Sequence, residues 1–300
     1  MNVFYSDQFV LPLPPQHRFP MQKYALLMER VVAAHLLKPG ELQVPPAATD
    51  PEVLLAHASD YLQRLVAGQL TDQEVRRIGF PWSSELVERE RLVTGATIAA
   101  CRAALADGVA VNLAGGTHHA FRDHGAGYCV FNDSAVAALA MLMKDNVQRV
   151  SIIDVDVHQG DGTAAILADD PRVFTFSIHG RKNYPFHKQQ SDLDIALDDD
   201  TDDAAYLAAL QQGLSQTFEQ SRPDLMIYVA GADPYVDDAL GRLAVSKAGL
   251  AARDELVLDA CYAAGVPVAI SMAGGYARNV DDTVDIHFTT VRLAMEQARR

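Results

Sequence analysis

The chain has 300 residues, 49% of them hydrophobic, enough for a large core and near the upper length of a single α/β unit. A formal net charge of −14, with no basic stripe, excludes a nucleic-acid backbone as the main partner; acidity of this kind slightly favours a cationic substrate. Three widely spaced cysteines, Cys101, Cys129 and Cys261, exclude a disulfide framework and a Cys-x-x-Cys zinc knot, and point to a reducing compartment.

The N-terminal stretch Met1–Asp7 lacks a basic start followed by an apolar run, and no apolar run reaches membrane-spanning length. A cytoplasmic protein with no membrane partner is expected. Pro- and Gly-rich patches at 11–20 and 39–51 read as surface loops rather than a domain boundary, so one domain over 1–300 is expected.

Helical spacing of apolar residues follows a Ser-Ser start in Ser84–Leu105 and recurs in Ser134–Met143, Ala204–Phe218 and Gly249–Ala263. Short apolar runs suited to buried strands lie between them: Val109–Leu113, Val150–Val155, Val173–Ile178, Leu225–Val229 and Val266–Ser271. Strand and helix alternate, which predicts an α/β protein with a parallel sheet between helices. Each run ends in a polar cluster, and ligand sites in such sheets lie outside the carboxyl ends of the strands.

Asp154, Asp156 and His158 alternate at i, i+2 and i+4, which on an extended chain puts all three on one face. Two carboxylates and an imidazole together are costly to bury unpaired, and a divalent cation removes the conflict. Asp233, at a neighbouring strand end, can add a third ligand and leave a position open for water. The plainer reading has the aspartates capping the turn at Gln159–Gly162. His118-His119, after Gly115-Gly116, is a coincidental loop pair by itself; beside a metal, one imidazole can shuttle a proton from water to a leaving amine. Asp154 and Asp161 are natural carboxylates to orient the two rings. Tyr276, after Gly274-Gly275, is an ordinary turn aromatic unless its hydroxyl faces a developing oxyanion.

Taken together, these motifs resemble the histone deacetylase family. The resemblance runs from His17-Arg18-Phe19-Pro20-Met21 through the His-His segment, Gly127–Asn132, Asp154–Gly162 and Gly231-Ala232-Asp233 to Gly274-Gly275-Tyr276. It implies the arginase/deacetylase fold, a single three-layer α/β/α domain with an eight-stranded parallel sheet. It also implies that Asp156, His158 and Asp233 hold the metal (Zn²⁺, with Fe²⁺ the alternative) and that His119 is the acid/base beside His118. Asp154 and Asp161 would stand behind those histidines, and Tyr276 would polarise the carbonyl. Asp154, Ser177 and Ile178 match a structural K⁺ or Na⁺ site.

Gln159 in place of a second histidine, Tyr184-Pro185, the Asp198–Asp203 run and Leu243–Ser246 are most similar to class IV. Departures are Thr117 before the His pair, Ala273 for a glycine, Phe186 after Pro185, and Tyr128 and Tyr184 where channel phenylalanines are common.

The implied activity is zinc-dependent removal of an acetyl or longer acyl group from a lysine of a protein or peptide. An acetylpolyamine or other acylated small amine as substrate is the alternative, and a non-catalytic acyl-lysine binding module is the reading of another class. A two-Mn²⁺ ureohydrolase would need aspartates that Gln159-Gly160-Asp161 does not supply. Acyl length and oligomeric state stay open. The Asp198–Asp203 run reads as the solvated start of a helix, and His17, His35, His57, His124, His187 and His287 read as structural or surface residues, with His179 near the site edge.

Overall fold

The computed structural model describes residues 1–144 and 147–300. Its strands are β1 (Asn2–Phe4), β2 (Leu42–Gln43), β3 (Val109–Asn112), β4 (Val150–Asp154), β5 (Val173–Gly180), β6 (Leu193–Leu197), β7 (Leu225–Ala230) and β8 (Val268–Met272). They form one eight-stranded sheet in the order β2-β1-β3-β8-β7-β4-β5-β6, every pairing parallel. Strands β3, β4 and β7 are buried at every residue, as expected when both faces are covered.

The main helices are α1 (Lys23–Ala33), α2 (Asp50–Ala56), α3 (Ser59–Val66), α4 (Asp72–Ile78), α5 (Ser84–Asp107) and α6 (Asp133–Lys144), then α7 (Asp161–Leu167), α8 (Asp203–Ser221), α9 (Lys247–Ala264) and α10 (Val280–Gln297). Helices α5 and α6 pack together and touch β3, β4, β7 and β8; α1, α10, α9 and α8 pack in succession, with α10 on β3 and α8 on β4 and β5. The result is helix layers on both faces of the sheet.

The helix ends follow local chemistry. Ser83 accepts a hydrogen bond from the Leu86 N–H to start α5, Asp202 from Ala205 for α8, and Ser246 from Gly249 for α9. Gly265 ends α9 at φ 65°, a conformation that costs glycine little.

Three expectations are corrected. The 39–51 patch is not a free surface loop: it contains β2 and the first residues of α2, and Pro46–Ala48 lies against α5 so closely that a Cβ on Gly95 would meet the Pro46 carbonyl at 1.9 Å. The 11–20 patch is a loop as expected, anchored by the buried Leu11 and Phe19. The second correction concerns Asp154, Asp156 and His158, which do not share the face of one strand. Strand β4 stops at Asp154, and the carboxylates turn the chain: Asp154 Oδ1 accepts from the Asp156 N–H (3.1 Å) and Asp156 Oδ1 from the His158 N–H (2.9 Å). The aspartates thus cap the turn over 154–158, upstream of the Gln159–Gly162 turn that the plainer reading has them cap, and their side chains still converge. Of the Asp198–Asp203 run, only Asp202 and Asp203 belong to the helix start.

Candidate active site

The five neighbouring strands β3, β8, β7, β4 and β5 all run in one direction, so the loops after them meet at one edge of the sheet. The loop after β3 carries His118 and His119; that after β4 carries Asp156 and His158 and leads into α7, which opens on Asp161. The loop after β5 carries Tyr184 and Phe186, that after β7 Asp233, and that after β8 Tyr276. A cavity of about 660 Å³ opens there, lined by His118, His119, Asp156, His158, Tyr128, Tyr184, Phe186 and Tyr276 among others.

At its floor Asp156, His158 and Asp233 bring three ligand atoms within 4.8 Å of one another, all three residues buried. His158 Nδ1 is 2.9 Å from Asp156 Oδ1 and 3.1 Å from Asp233 Oδ2. Ligand bonds of about 2.0–2.1 Å at a tetrahedral angle put neighbouring ligand atoms about 3.3 Å apart, so the spacing fits a small dication. The remaining carboxylate oxygens are already bonded: Asp156 Oδ2 accepts from the Gly274 N–H (2.8 Å) and Asp233 Oδ1 from the Val157 N–H (2.9 Å). Glycine is required at 274, because a Cβ would stand 2.0 Å from Asp233 and 2.5 Å from Asp156.

The electrostatics without an ion show the same concentration of charge. Burial, and then the Asp156 carboxylate, push the Asp233 carboxyl up to about 7. Burial opposes charge on His158, but its bonds to Asp156 and Asp233 outweigh that and raise it to about 10. Burial also opposes charge on Asp156, which is nonetheless held below its ordinary range by His118 and His158. Together these residues form a buried Asp–His–Asp group able to hold a metal ion.

Each cavity histidine has a carboxylate behind it. His118 Nδ1–H donates to Asp154 Oδ2 and His119 Nδ1–H to Asp161 Oδ1, both at 2.6 Å. This fixes the tautomer: the neutral His119 ring keeps a lone pair on Nε2. Tyr276 sits 6.5 Å from His158 between ring centroids. Burial, reinforced by Asp156 and Asp233, raises its phenol well above the ordinary value, so it stays an O–H donor.

Asp154 faces Ser177 across the β4–β5 register, with Ile178 one residue further on, while Ser177 Oγ lies 3.1 Å from His179 Nδ1. Asp154, Asp161, Asp233, Ser177 and Ile178 are buried and stand outside the cavity lining. Phe186 is at the rim, 83% exposed. Thr117 turns its hydroxyl onto Asp133 at 2.7 Å, and Ala273 packs so tightly on Gly116 that a Cβ there would come within 2.4 Å of it.

Several residues that organise the site were not singled out from the sequence. His57 accepts the Asn132 N–H on Nε2, and Asn132 Nδ2 donates to the carbonyls of His118 and Ala120. Asp133 accepts from the N–H groups of Gly116 and Thr117. Lys188 donates to the Asn183 and Pro185 carbonyls at 2.6 and 2.7 Å, bracing the turn that bears Tyr184. Asp238 accepts from the Tyr276 N–H at 2.6 Å. Lys23 lies beneath Tyr276, donating to the Ala273 carbonyl, and burial lowers it to about 8. The sequence signals for the Asn132–Asp133 pair were the place of Asn132 at the end of a stretch that carries the family resemblance and the position of both at the start of a helix, where such residues ordinarily cap.

Comparisons with known proteins agree with this geometry. Residues 17–291 match the family model described as histone deacetylase domain. Histone deacetylase 2 of Arabidopsis thaliana is 28% identical over 95% of this chain and 78% of its own length. The acetoin utilization protein AcuC of Bacillus subtilis is 31% identical over 77% of this chain and 65% of its own length. An HDAC homologue solved in complex with SAHA superposes with a TM-score of 0.85 at 25% identity, covering 99% of this chain and 83% of the other. An HDAC homologue from Aquifex aeolicus gives 0.84 at 24%, which bears on the fold. With an eight-stranded parallel sheet, a buried Asp–His–Asp group at its carboxyl edge and the family's domain matched over most of its length, this chain has the α/β arginase/deacetylase fold and belongs to the histone deacetylase family of hydrolases.

Proposed function

We infer that the protein is a single catalytic unit over 1–300 that hydrolyses the amide of an acylated lysine-type amine. The observation that carries this reading is the meeting, in one cavity, of the Asp156–His158–Asp233 group with two carboxylate-backed histidines and a protonated tyrosine. Zn²⁺ suits this nitrogen-and-oxygen set (Fe²⁺ is the alternative), and when bound it supplies Lewis acidity, acidifying a water and polarising a carbonyl.

The chain's own residues do the rest. His119 accepts the proton of the attacking water at Nε2, while Asp161 holds its Nδ1–H in place and stabilises the ring as it becomes charged. As the water oxygen bonds to the carbonyl carbon, the Tyr276 O–H donates to the carbonyl oxygen that gains charge. The carbon–nitrogen bond then breaks, and the proton held on His119 Nε2 passes to the departing nitrogen, leaving a carboxylic acid and a free amine. Asp154 holds His118 beside it and also lies, with Ser177 and Ile178, where a structural K⁺ or Na⁺ would sit. Tyr128 and Tyr184 line the passage for the aliphatic stem of the amine.

The test is incubation of the zinc-loaded protein with acetyl-, medium- and long-chain acyl-lysine peptides and an acetylated polyamine, followed by mass spectrometry for the free amine. Release from at least one is expected. Tight binding of an acyl-lysine peptide with no product would instead support the non-catalytic binding module.

A further inference from the structure

The mouth of the cavity carries charge of the opposite sign to the chain as a whole. Apart from Asp156 and the histidines on the floor, every charged side chain that lines it is a cation: Lys23 and Arg89 deep inside, and Arg76, Arg77, Lys182 and Arg242 at the opening. The last four are solvent-exposed. Lys182 and Arg242 share a single carboxylate, Asp199, at 3.4 and 2.7 Å, and Asp199 is outside the lining. Arg76 and Arg77 make no side-chain hydrogen bond or ion pair among the described residues. They stand in the last turn of α4, where positive charge is locally favourable, but that leaves both guanidinium groups free to meet a ligand. Beside them, Tyr184, Phe186 and Leu240 expose apolar surface at the same opening.

Four cations, of which Lys182 and Arg242 share Asp199 and Arg242 also feels Asp200, outnumber the carboxylates near them and make a local positive field around the entrance of a protein of net charge −14. Guanidinium groups with no internal partner suit bidentate pairing with carboxylates. An apolar rim between them suits the backbone and stem of a peptide. Resting on the acyl-amine reading above, we propose that this enzyme selects acylated lysine embedded in an acidic segment of a polypeptide, with Arg76, Arg77, Lys182 and Arg242 reading the flanking carboxylates. A cationic acylated polyamine or a lysine-rich tail would be repelled at the same entrance, reversing the slight preference for cations that the overall charge suggests.

Equilibrium binding by fluorescence anisotropy tests this without relying on turnover. The probes are labelled peptides with one acetyl-lysine flanked by glutamates, by neutral residues or by lysines. The glutamate peptide is expected to bind about tenfold tighter than the neutral one, and to lose that advantage when salt rises from about 50 mM to about 500 mM. The double variant Arg76→Glu/Arg77→Glu should reverse the order, and Arg76→Gln/Arg77→Gln should flatten it; all four changes are on exposed side chains. Equal binding of the three peptides, or an unchanged preference in both variants, would overturn the proposal. So would competition by free acetyl-lysine as strong as that of the glutamate peptide, which would make a small carboxylate sufficient. Turnover measured on the same peptides separates the two readings: a glutamate preference in binding with no cleavage of any peptide defeats the hydrolase and leaves the charge selection standing.

Discussion

His118 and His119 lie side by side, ring centroids 4.1 Å apart, each 2.6 Å from a carboxylate, yet their surroundings drive them in opposite directions. Burial disfavours charge on both. At His118 the Asp154 and then the Asp156 carboxylates outweigh burial and raise it to about 9. At His119 burial, joined by the neighbouring His118, prevails over Asp161 and lowers it to about 4. Those directions belong to the protein without an ion, and a dication on Asp156, His158 and Asp233 adds positive charge that lowers both. His119 is then neutral at pH 7 and free to accept a proton, while His118 contributes its position and field.

Replacing Tyr276, which lines the cavity, by Phe removes a hydroxyl and little packing. On the proposed mechanism kcat falls roughly 10²–10³-fold, as for loss of one oxyanion donor, while bound zinc measured by elemental analysis stays the same. Unchanged kcat would remove Tyr276 from the scheme.

The pH dependence of stability has a clear contributor in His57. Burial lowers it to about 4, and its ring is held neutral, with Nδ1–H donating to Phe121 and Nε2 accepting from Asn132. The unfolded chain therefore binds a proton on this residue between about pH 6.5 and 4 that the folded chain refuses, so stability is lost as pH falls through that window. A His57→Leu protein lacks this term. Its deficit relative to the native protein in urea unfolding should shrink by roughly 2–3 kcal/mol between pH 7 and pH 4.5. A deficit independent of pH would show that His57 takes up its proton as readily in the fold as in the unfolded chain.

Gly116 has φ +64°, and a Cβ on it would stand 2.4 Å from the Ala273 Cβ and 2.6 Å from its Cα. Gly116→Ala should cost more than about 2 kcal/mol of stability through clash and backbone strain together. Adding Ala273→Gly should recover only the part due to the Cβ–Cβ clash. Full recovery in thermal or urea unfolding would mean that backbone conformation contributes nothing there.

The sequence made the five central strands legible because strands buried on both faces of a parallel sheet read as plain apolar runs. The outer strands escaped: Asn2–Phe4 and the edge strand Leu42–Gln43 are too short to show a pattern, and the opposite edge, Leu193–Leu197, is interrupted by Asp194. The site residues were legible because their types and order are chemically restrictive. Of the groups that orient them, Asp154 and Asp161 were legible, but the roles of Asn132, Asp133, His57 and Lys188 were not, since these act through backbone atoms, most of them distant in the chain. The basic entrance was hidden for the same reason, since α4 and the loops around 182 and 242 meet only in the folded protein.

At the rim, Phe186→Ala removes an aromatic that is 83% exposed. Stability should change by no more than about 0.5 kcal/mol. For a peptide substrate, KM should rise a few-fold with kcat unchanged, the signature of binding shared by ground and transition states. A fall in kcat at constant KM would place Phe186 in the reacting geometry instead.

The central claim is that the Asp156–His158–Asp233 group holds a catalytic metal, and metal titration of turnover tests it most directly. The protein is stripped with a chelator, dialysed, and assayed on an acetyl-lysine peptide while Zn²⁺ is added back, with Asp156→Asn and His158→Ala alongside. Activity should vanish on stripping and return in full at one equivalent of Zn²⁺, with neither variant recovering. Undiminished turnover in the stripped protein, or recovery in both variants, would contradict it.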